Sequence, residues 1–314
     1  MADPKVTIVT PSYNQAIYLE QTIQSVLSQG YPNLEYFIVD GGSTDGSQAI
    51  IERYASQLAW WVSEKDHGQS EAVNKGFARA TGEIIGWLNS DDLYQPGSIA
   101  EAVAAFKANP QAGMVYSDVL AIDENGTATN LMRYGDWGLD DLMTFHIIGQ
   151  PGVFLRRSVL EQAGYLDPNC HYLLDHLLWL KTAQVAPMVH VKAVWAAARF
   201  HSMAKNVSMT SHYGEDAYEL VRWMSTDPGL KDRYQRLKRQ VWAGAHRINA
   251  RYLLDGGKNR EAIRAYWKSI LSYPPIGLSE AHRLAYAYLS LGGLSGLKSL
   301  YLRTRRRIKG FTPG

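Results

Sequence analysis

The sequence contains a single cysteine, Cys170, in 314 residues. No intrachain disulfide is available, and the lone thiol reads as a small buried hydrophobe. No run of about 18 apolar residues occurs, so no membrane-spanning helix is expected. The first residues, Met-Ala-Asp-Pro-Lys, pass straight into an apolar strand without a basic region or cleavage signal. No secretory leader is expected, and the chain reads as cytoplasmic. Two phosphate-cradling motifs are also missing: no G-x-G-x-x-G follows the first strand, and no G-x-x-x-x-G-K-[ST] occurs. A diphosphate held by carboxylates would then have to be held through a metal ion. Hydrophobic residues make up 46% and charged residues 20%, with 12 prolines and 27 glycines. Such a composition excludes collagen-like, low-complexity and wholly disordered chains.

What is present is unevenly distributed. The formal net charge is +2, but residues 1–214 carry 13 Lys and Arg against 22 Asp and Glu, while residues 215–314 carry 19 against 8. An acidic body suits a site built on carboxylates or a cation; a basic tail suits an anionic surface. The predicted division is a domain over residues 1–212 and an all-helical appendage over 213–314.

In the first 120 residues, short apolar runs alternate with helical spacing. KVTIVT (Lys5 to Thr10) reads as a strand stopped by Pro11, followed by a helix with Ile17, Ile23, Val26 and Leu27 on one face. Further strands are expected over Glu35–Val39, Ala59–Ser63 and Glu83–Leu88, with helices near 47–54, 70–80 and 99–108. Alternation of this kind indicates a parallel α/β sheet buried on both faces, whose ligands bind beyond the carboxyl ends of the strands. Strand-like pieces follow at 113–116, 119–123, 149–155 and 185–200, and short helices at 158–163 and 177–183. From about Tyr213 the pattern is helical only. Ala262, Tyr266, Ser269 and Pro274 carry one partial helical-repeat spacing, read as a helical hairpin.

The strand ends deliver mostly acidic groups to one rim. Asp91 and Asp92 follow the apolar strand IIGWL, where they either cap the next helix or offer an anionic spot that Mg²⁺ or Mn²⁺ would neutralise. Asp40 ends another strand at the position where ribose or base recognition falls in doubly wound folds. Asp175 precedes LLWL and, read alone, is a helix cap.

VTIVTPSYNQ, SVLSQGYPNLEYFIVDGGSTDGS and EKDHGQSEAVNKGFARATGEIIGWLNSDD resemble the amino-terminal half of family-two glycosyltransferases with the GT-A fold. GQPGVFLRRSVLEQAGYLD and YLLDHLLWLKTA resemble that family's acceptor-side segments. The likeness covers residues 4–205. It implies a Rossmann-like, mostly parallel sheet flanked by helices. It also implies inverting transfer of a sugar from a nucleotide diphosphate sugar, expected to be a UDP-sugar, with Mn²⁺ or Mg²⁺.

Carried over residue by residue, Pro11 and Tyr13 would line the base pocket and Asp40 would bind the base edge or ribose. Asp66 would close the nucleotide pocket, with Asn74 nearby. Asp91 would contact ribose or metal-bound water. Asp92 would be the metal ligand, joined by His201 at the metal or diphosphate, and Asp175 the base. Trp87 and Gln150 are candidates for the sugar and acceptor surfaces. Three departures from the family pattern stand out: Asn89 in place of a third Asp, Val73 before Asn74 where Arg is frequent, and His176 after the base.

The expected partners are the nucleotide-sugar donor and a glycan or lipid-linked acceptor. Nucleic acid is not expected, since the basic tail has no reading motif. Leu294, Leu297, Tyr301 and Ile308 share a helical side amid Lys298, Arg303, Arg305, Arg306, Arg307 and Lys309. Residues 294–309 thus suit peripheral contact with the inner face of a membrane, or else form a charged helix end or an oligomer contact. A sugar-phosphate nucleotidyltransferase would show a glycine-rich basic loop after its first strand, which PSYNQ is not. A non-catalytic scaffold would have no need of Asp92 and Asp175.

Overall fold

The structure is a computed structural model, described here for residues 3–201 and 213–291. The basic segment 294–309 lies outside the described residues. Contacts divide the chain into two units. The first takes in residues 1–138, 148–170 and 174–199; the second takes in 139–147, 171–173 and 200–314. The second unit therefore gathers two short excursions from the body of the chain, which a single cut near residue 212 does not describe.

The first unit is built on a nine-stranded sheet. Strands β1 (Val6–Ser12), β2 (Leu34–Asp40), β3 (Trp60–Ser63) and β4 (Ile84–Trp87) are mutually parallel, in the order β3-β2-β1-β4. The other half is mixed. Strand β8 (Val153–Arg156) pairs antiparallel with β4 and with β6 (Met114–Ile122), and β6 pairs parallel with β9 (Met188–Arg199). Short β5 (Leu93–Tyr94) and β7 (Ala128–Met132) complete the edges. The expected pieces at 113–116 and 119–123 fall in one strand, β6, whose pairing with β9 continues through register shifts between Ser117 and Val119. The expected strand at 149–155 begins instead with a 3₁₀ turn, Gln150–Gly152.

Alternation along β1 sorts the two faces. Val6 and Ile8 join Tyr36, Ile38 and Ile84 in a core shared with α1 (Ala16–Leu27), α2 (Ser47–Tyr54) and α4 (Ser98–Ala108). On the other face α3 (Gln69–Arg79) lies so close to β1 that a Cβ on Gly76 would clash with the Val9 side chain. Helices thus cover both faces, as apolar parallel strands require.

Pro11 does not stop β1. Val9 O accepts the Leu88 N–H from the β4 side, and Ser12 O accepts the Gly41 N–H from the β2 side. By alternation Pro11 faces the β4 side, where pairing has ended at Val9, so no ladder bond needs the missing N–H. The α1 stripe also differs from expectation. Leu19, Thr22, Ile23 and Val26 are buried, whereas Ile17 is 70% exposed, because it lies about half a turn from that stripe.

The remaining helices of the first unit are α6 (Arg157–Ala163) and α7 (Leu174–Val185). The second unit contains α5 (Leu139–Met143), α8 (Tyr213–Thr226), α9 (Lys231–Asp255), α10 (Asn259–Ser272), α11 (Pro274–Leu278) and α12 (Ala281–Leu291). Its core includes Ala250, Leu254, Ala262, Ile263, Tyr266 and Ala287. Glu280 is buried among Arg251, Arg283 and the Tyr266 hydroxyl, and Arg283 also pairs with Asp255 at 3.1 Å. Among the described residues no helix is long and apolar enough to cross a membrane.

Candidate active site

The loops leaving β1 and β2 are laced together by their own polar groups. The Asn14 N–H donates to Ser43 Oγ at 2.8 Å, Asn14 Oδ1 accepts the Thr44 N–H at 2.9 Å, and the Ala16 N–H donates to Asp45 Oδ2 at 2.8 Å. Asn14 is left-handed, with φ +52°, a conformation that asparagine tolerates. The ring of Tyr13 is left 62% exposed on this fixed mount. Pro11 is buried behind it.

Asp40 is used differently from expectation. Its carboxylate is fully buried and accepts four hydrogen bonds: Gly42 N–H (3.1 Å), Ser43 N–H (2.9 Å), Ser43 Oγ–H (2.5 Å) and Ser63 Oγ–H (2.6 Å). It organises the turn from beneath and presents no surface to a base or ribose. The DGGS sequence supplies both the acceptor and the donors that consume it. We expect Asp40→Ala to cost about 3 kcal/mol of stability, since four donors lose their acceptor. A lower urea midpoint would register this; unchanged stability with weakened nucleotide binding would restore a direct contact.

Asp66 instead reaches the rim. Its carboxylate lies over Gly41, where an added Cβ would stand 2.7 Å from Asp66 Oδ2, and Oδ1 accepts the Gly68 N–H at 2.9 Å. Asn74 is diverted: its amide donates to Leu166 O at 2.8 Å and accepts the Leu166 N–H at 3.0 Å. It pins α3 to the segment after α6, and both its polar groups are engaged there. Val73, in the place of the expected arginine, is fully buried.

Past β4, Asn89 is the hub of a polar network. Its Oδ1 accepts from Gln69 Nε2 (2.8 Å) and the Trp87 indole N–H (2.9 Å). Its Nδ2 donates to Gln150 Oε1 (3.1 Å) and Asp92 Oδ2 (3.3 Å). Gln150 also donates to Trp87 O. An aspartate at position 89 could not donate to Asp92 and would add a third charge, so the departure from the family pattern has a physical role here. Trp87 and Gln150 are 4% and 7% exposed, so they brace the site rather than form a sugar or acceptor surface.

Asp92 is buried, with Oδ1 accepting the Arg199 N–H at 2.9 Å, while Asp91 is half-buried. Burial, and then the charge of Asp91, hold the Asp92 carboxyl well above the usual carboxylate range. Arg199 is itself buried; it donates to Asp91 O, Asp123 O, Glu124 O and Gln21 Oε1 and lies over the Tyr18 ring at 4.6 Å. Among the described residues no three His, Cys, Asp or Glu side chains form a metal-holding group. Asp91 and Asp92 are what the described residues offer here. A hard cation of the Mg²⁺ type fits such a pair, because it takes one or two carboxylates and fills its other positions with phosphate oxygens and water.

Asp175 is the second residue of α7. Burial pushes its carboxyl up to about 6, against the Oδ1 bond from its neighbour's N–H, His176, at 2.7 Å. The buried Tyr134 hydroxyl accepts the Gly149 N–H and feels the charges of both Asp118 and Asp175. Asp118 in turn accepts the Tyr134 N–H at 3.0 Å and pairs with His190 at 2.9 Å. Gly149 leads directly to Gln150, so Asp175 and the Asn89 hub share one neighbourhood. His176 is fully buried and points no group outward.

The chain enters α7 through Tyr172 and Leu173, whose N–H groups donate to the buried Asp216 carboxylate at 2.7 and 3.1 Å. His201 is buried two residues after β9 and falls in the second unit.

Four of these groups escaped the sequence reading. Gln69 lies inside the DHGQ string and Arg199 two residues before His201, so both had a local signal. Tyr134 and Asp216 had none, being distant in sequence from what they hold.

The sequence profile described as glycosyl transferase family 2 matches residues 7–165. An uncharacterized glycosyltransferase of Nostoc sp. is 30% identical over 225 residues, covering 67% of this chain and 69% of that protein. The chain spans only 37% and 64% of two uncharacterized glycosyltransferases from Rickettsia felis and Rickettsia typhi. Among solved structures, the mannosyltransferase PcManGT of Pyrobaculum calidifontis, in complex with GDP-Man and Mn²⁺, superposes with a TM-score of 0.64. It is 20% identical, covering 99% of this chain and 85% of that one. TarS 1–349 of S. aureus, in complex with UDP-GlcNAc, gives 0.55 at 16% identity, covering 88% and 91%. Both are likenesses of fold, and they place the α/β unit among GT-A structures. With its profile covering half of the sequence, the chain belongs to glycosyl transferase family 2.

Proposed function

We propose that the protein transfers a sugar, with inversion, from a nucleotide diphosphate sugar to a hydroxyl of a glycan or lipid-linked acceptor. The observation that carries this reading is the presence of two differently situated buried carboxyls in the α/β unit. Asp92, beside Asp91, is buried and braced by Asn89 and Arg199. Asp175 is a buried carboxyl that accepts the His176 N–H, and burial raises it to about 6. Groups whose surroundings push their acidities in this way suit separate charge-binding and proton-transfer roles.

Tyr13 would stack on the base, and Asp66 would close the edge above Gly41. Asp92, with Asp91, would hold a divalent cation, which would neutralise charge on the leaving nucleoside diphosphate. Asp175 would accept the proton of the acceptor hydroxyl as that oxygen attacks the anomeric carbon. A single displacement at that carbon inverts its configuration. Tyr134 and Asp118 would hold the wall beside Asp175.

The two structural neighbours are complexed with a guanosine and a uridine sugar nucleotide, so both bases enter the test. Calorimetric titration of UDP, GDP and dTDP with and without Mn²⁺ tests the reading. We expect Mn²⁺-dependent binding of one nucleotide, UDP by family likeness, weakened at least about tenfold in Tyr13→Ala through loss of stacking. Absence of binding to any of the three would refute the reading.

A further inference from the structure

We propose that the outer face of α10, α11 and α12 is a docking surface for an anionic lipid bilayer. The inner faces of α10 and α12 supply Ala262, Ile263, Tyr266 and Ala287 to the core. The outer face is apolar to an unusual degree for an exposed surface: Trp267 is 46% exposed, Leu271 75%, Leu278 54%, Tyr288 50% and Leu291 45%. Trp267 and Leu271 are one helical turn apart on α10. The Trp267 indole N–H donates to the Tyr288 hydroxyl at 2.9 Å, which joins the exposed faces of α10 and α12 into one patch. A contiguous exposed patch of this sort marks a surface that something covers.

Charge decides what covers it. Arg260, Arg264 and Lys268 are exposed on α10 beside the patch, with Glu261 the one exposed acid of that helix. Neither α11 nor α12 has an acidic residue. A second copy docking through the same face would set these cations against their own counterparts. The carboxyl-terminal segment, basic itself, would do the same. A bilayer with anionic headgroups satisfies both features at once. Trp, Tyr and Leu enter the headgroup–acyl boundary while Arg and Lys meet the headgroup phosphates. This surface lies wholly within the second unit and is independent of the donor and acceptor assignment.

The test is flotation of the full chain with phosphatidylcholine vesicles, with and without phosphatidylglycerol. The wild type is expected to float only with the anionic vesicles. Trp267→Ala/Leu271→Ser should lower vesicle partitioning at least about tenfold, from the apolar area no longer buried. A triple Arg260→Gln/Arg264→Gln/Lys268→Gln variant should lower it and flatten its salt dependence. All the altered side chains are exposed, and circular dichroism melts would verify folding. Three results would overturn the proposal: no flotation of the wild type, flotation of the double variant equal to wild type, or a wild-type dimer in solution that the double variant abolishes.

Discussion

Asp175→Asn is expected to lower kcat by at least about 10³-fold while leaving nucleoside diphosphate affinity within about threefold of wild type. The substitution keeps the size of the side chain and its Oδ1 acceptor for the His176 N–H, but removes the basic lone pair. Wild-type activity should also report this group through pH. Burial holds the carboxyl up at about 6, so the ionised base is depleted below that value, and kcat/KM should fall about tenfold per pH unit there. The variant's residual activity should lack this limb.

Stability carries the opposite sign. An acid whose folded pKa is raised above its ordinary 3.8 supports the fold fully below about 4, and that contribution is lost as pH rises through about 6. Asp175→Asn should therefore be at least as stable as wild type at pH 8. A loss of nucleotide binding in the variant, or an unchanged acid limb, would remove Asp175 from the base role.

The second large effect is expected at Asp92. Asp92→Asn should abolish the Mn²⁺ dependence of nucleotide binding and weaken binding in the presence of Mn²⁺ by about 100-fold, read by the same calorimetry. The physical ground is the cost of a carboxylate that is buried and adjacent to Asp91. That cost is offset only in part by Asn89 and the Arg199 N–H, and a divalent cation would relieve the rest. The asparagine retains the acceptor for the Arg199 N–H, so the fold should survive, and a melt within a few degrees of wild type is the control. Undiminished Mn²⁺ dependence in Asp92→Asn would move the metal site elsewhere. Chelation of wild type should reproduce the variant's binding.

The effects of the two substitutions should separate cleanly, one on the rate and the other on donor binding. A scaffold without catalysis would show neither the acid limb nor the rate loss.

Much of this was legible in the chain itself. Apolar runs at Val6, Leu34 and Ile84 with helical spacing between them fix a parallel α/β unit, because a strand buried on both faces leaves no room for polar alternation. Helix α2 begins and ends where its spacing says, at Ser47 and Tyr54. Linked motifs identify the family and mark Tyr13, Asp66, Asp92 and Asp175 as the groups to examine. Sequence alone also shows the acidic body and the basic end.

The tertiary structure decided the use of each side chain, since a hydrogen-bond partner depends on what else arrives within about 3 Å. Asp40 looked available and is consumed by Ser43 and Ser63, the latter from the next strand. Asn74 is taken by Leu166, 92 residues away in sequence. Asn89, apparently a weakened acidic motif, becomes the donor that orients Asp92 because Gln69, Trp87 and Gln150 fold onto it. Pro11 stays in a strand because the neighbour that would have needed its N–H has already stopped. Local pattern determined which elements form and in what order, since propensity and burial act over a few residues. Only the folded chain determined which polar groups remain open to a ligand, because that depends on contacts between residues the sequence keeps far apart.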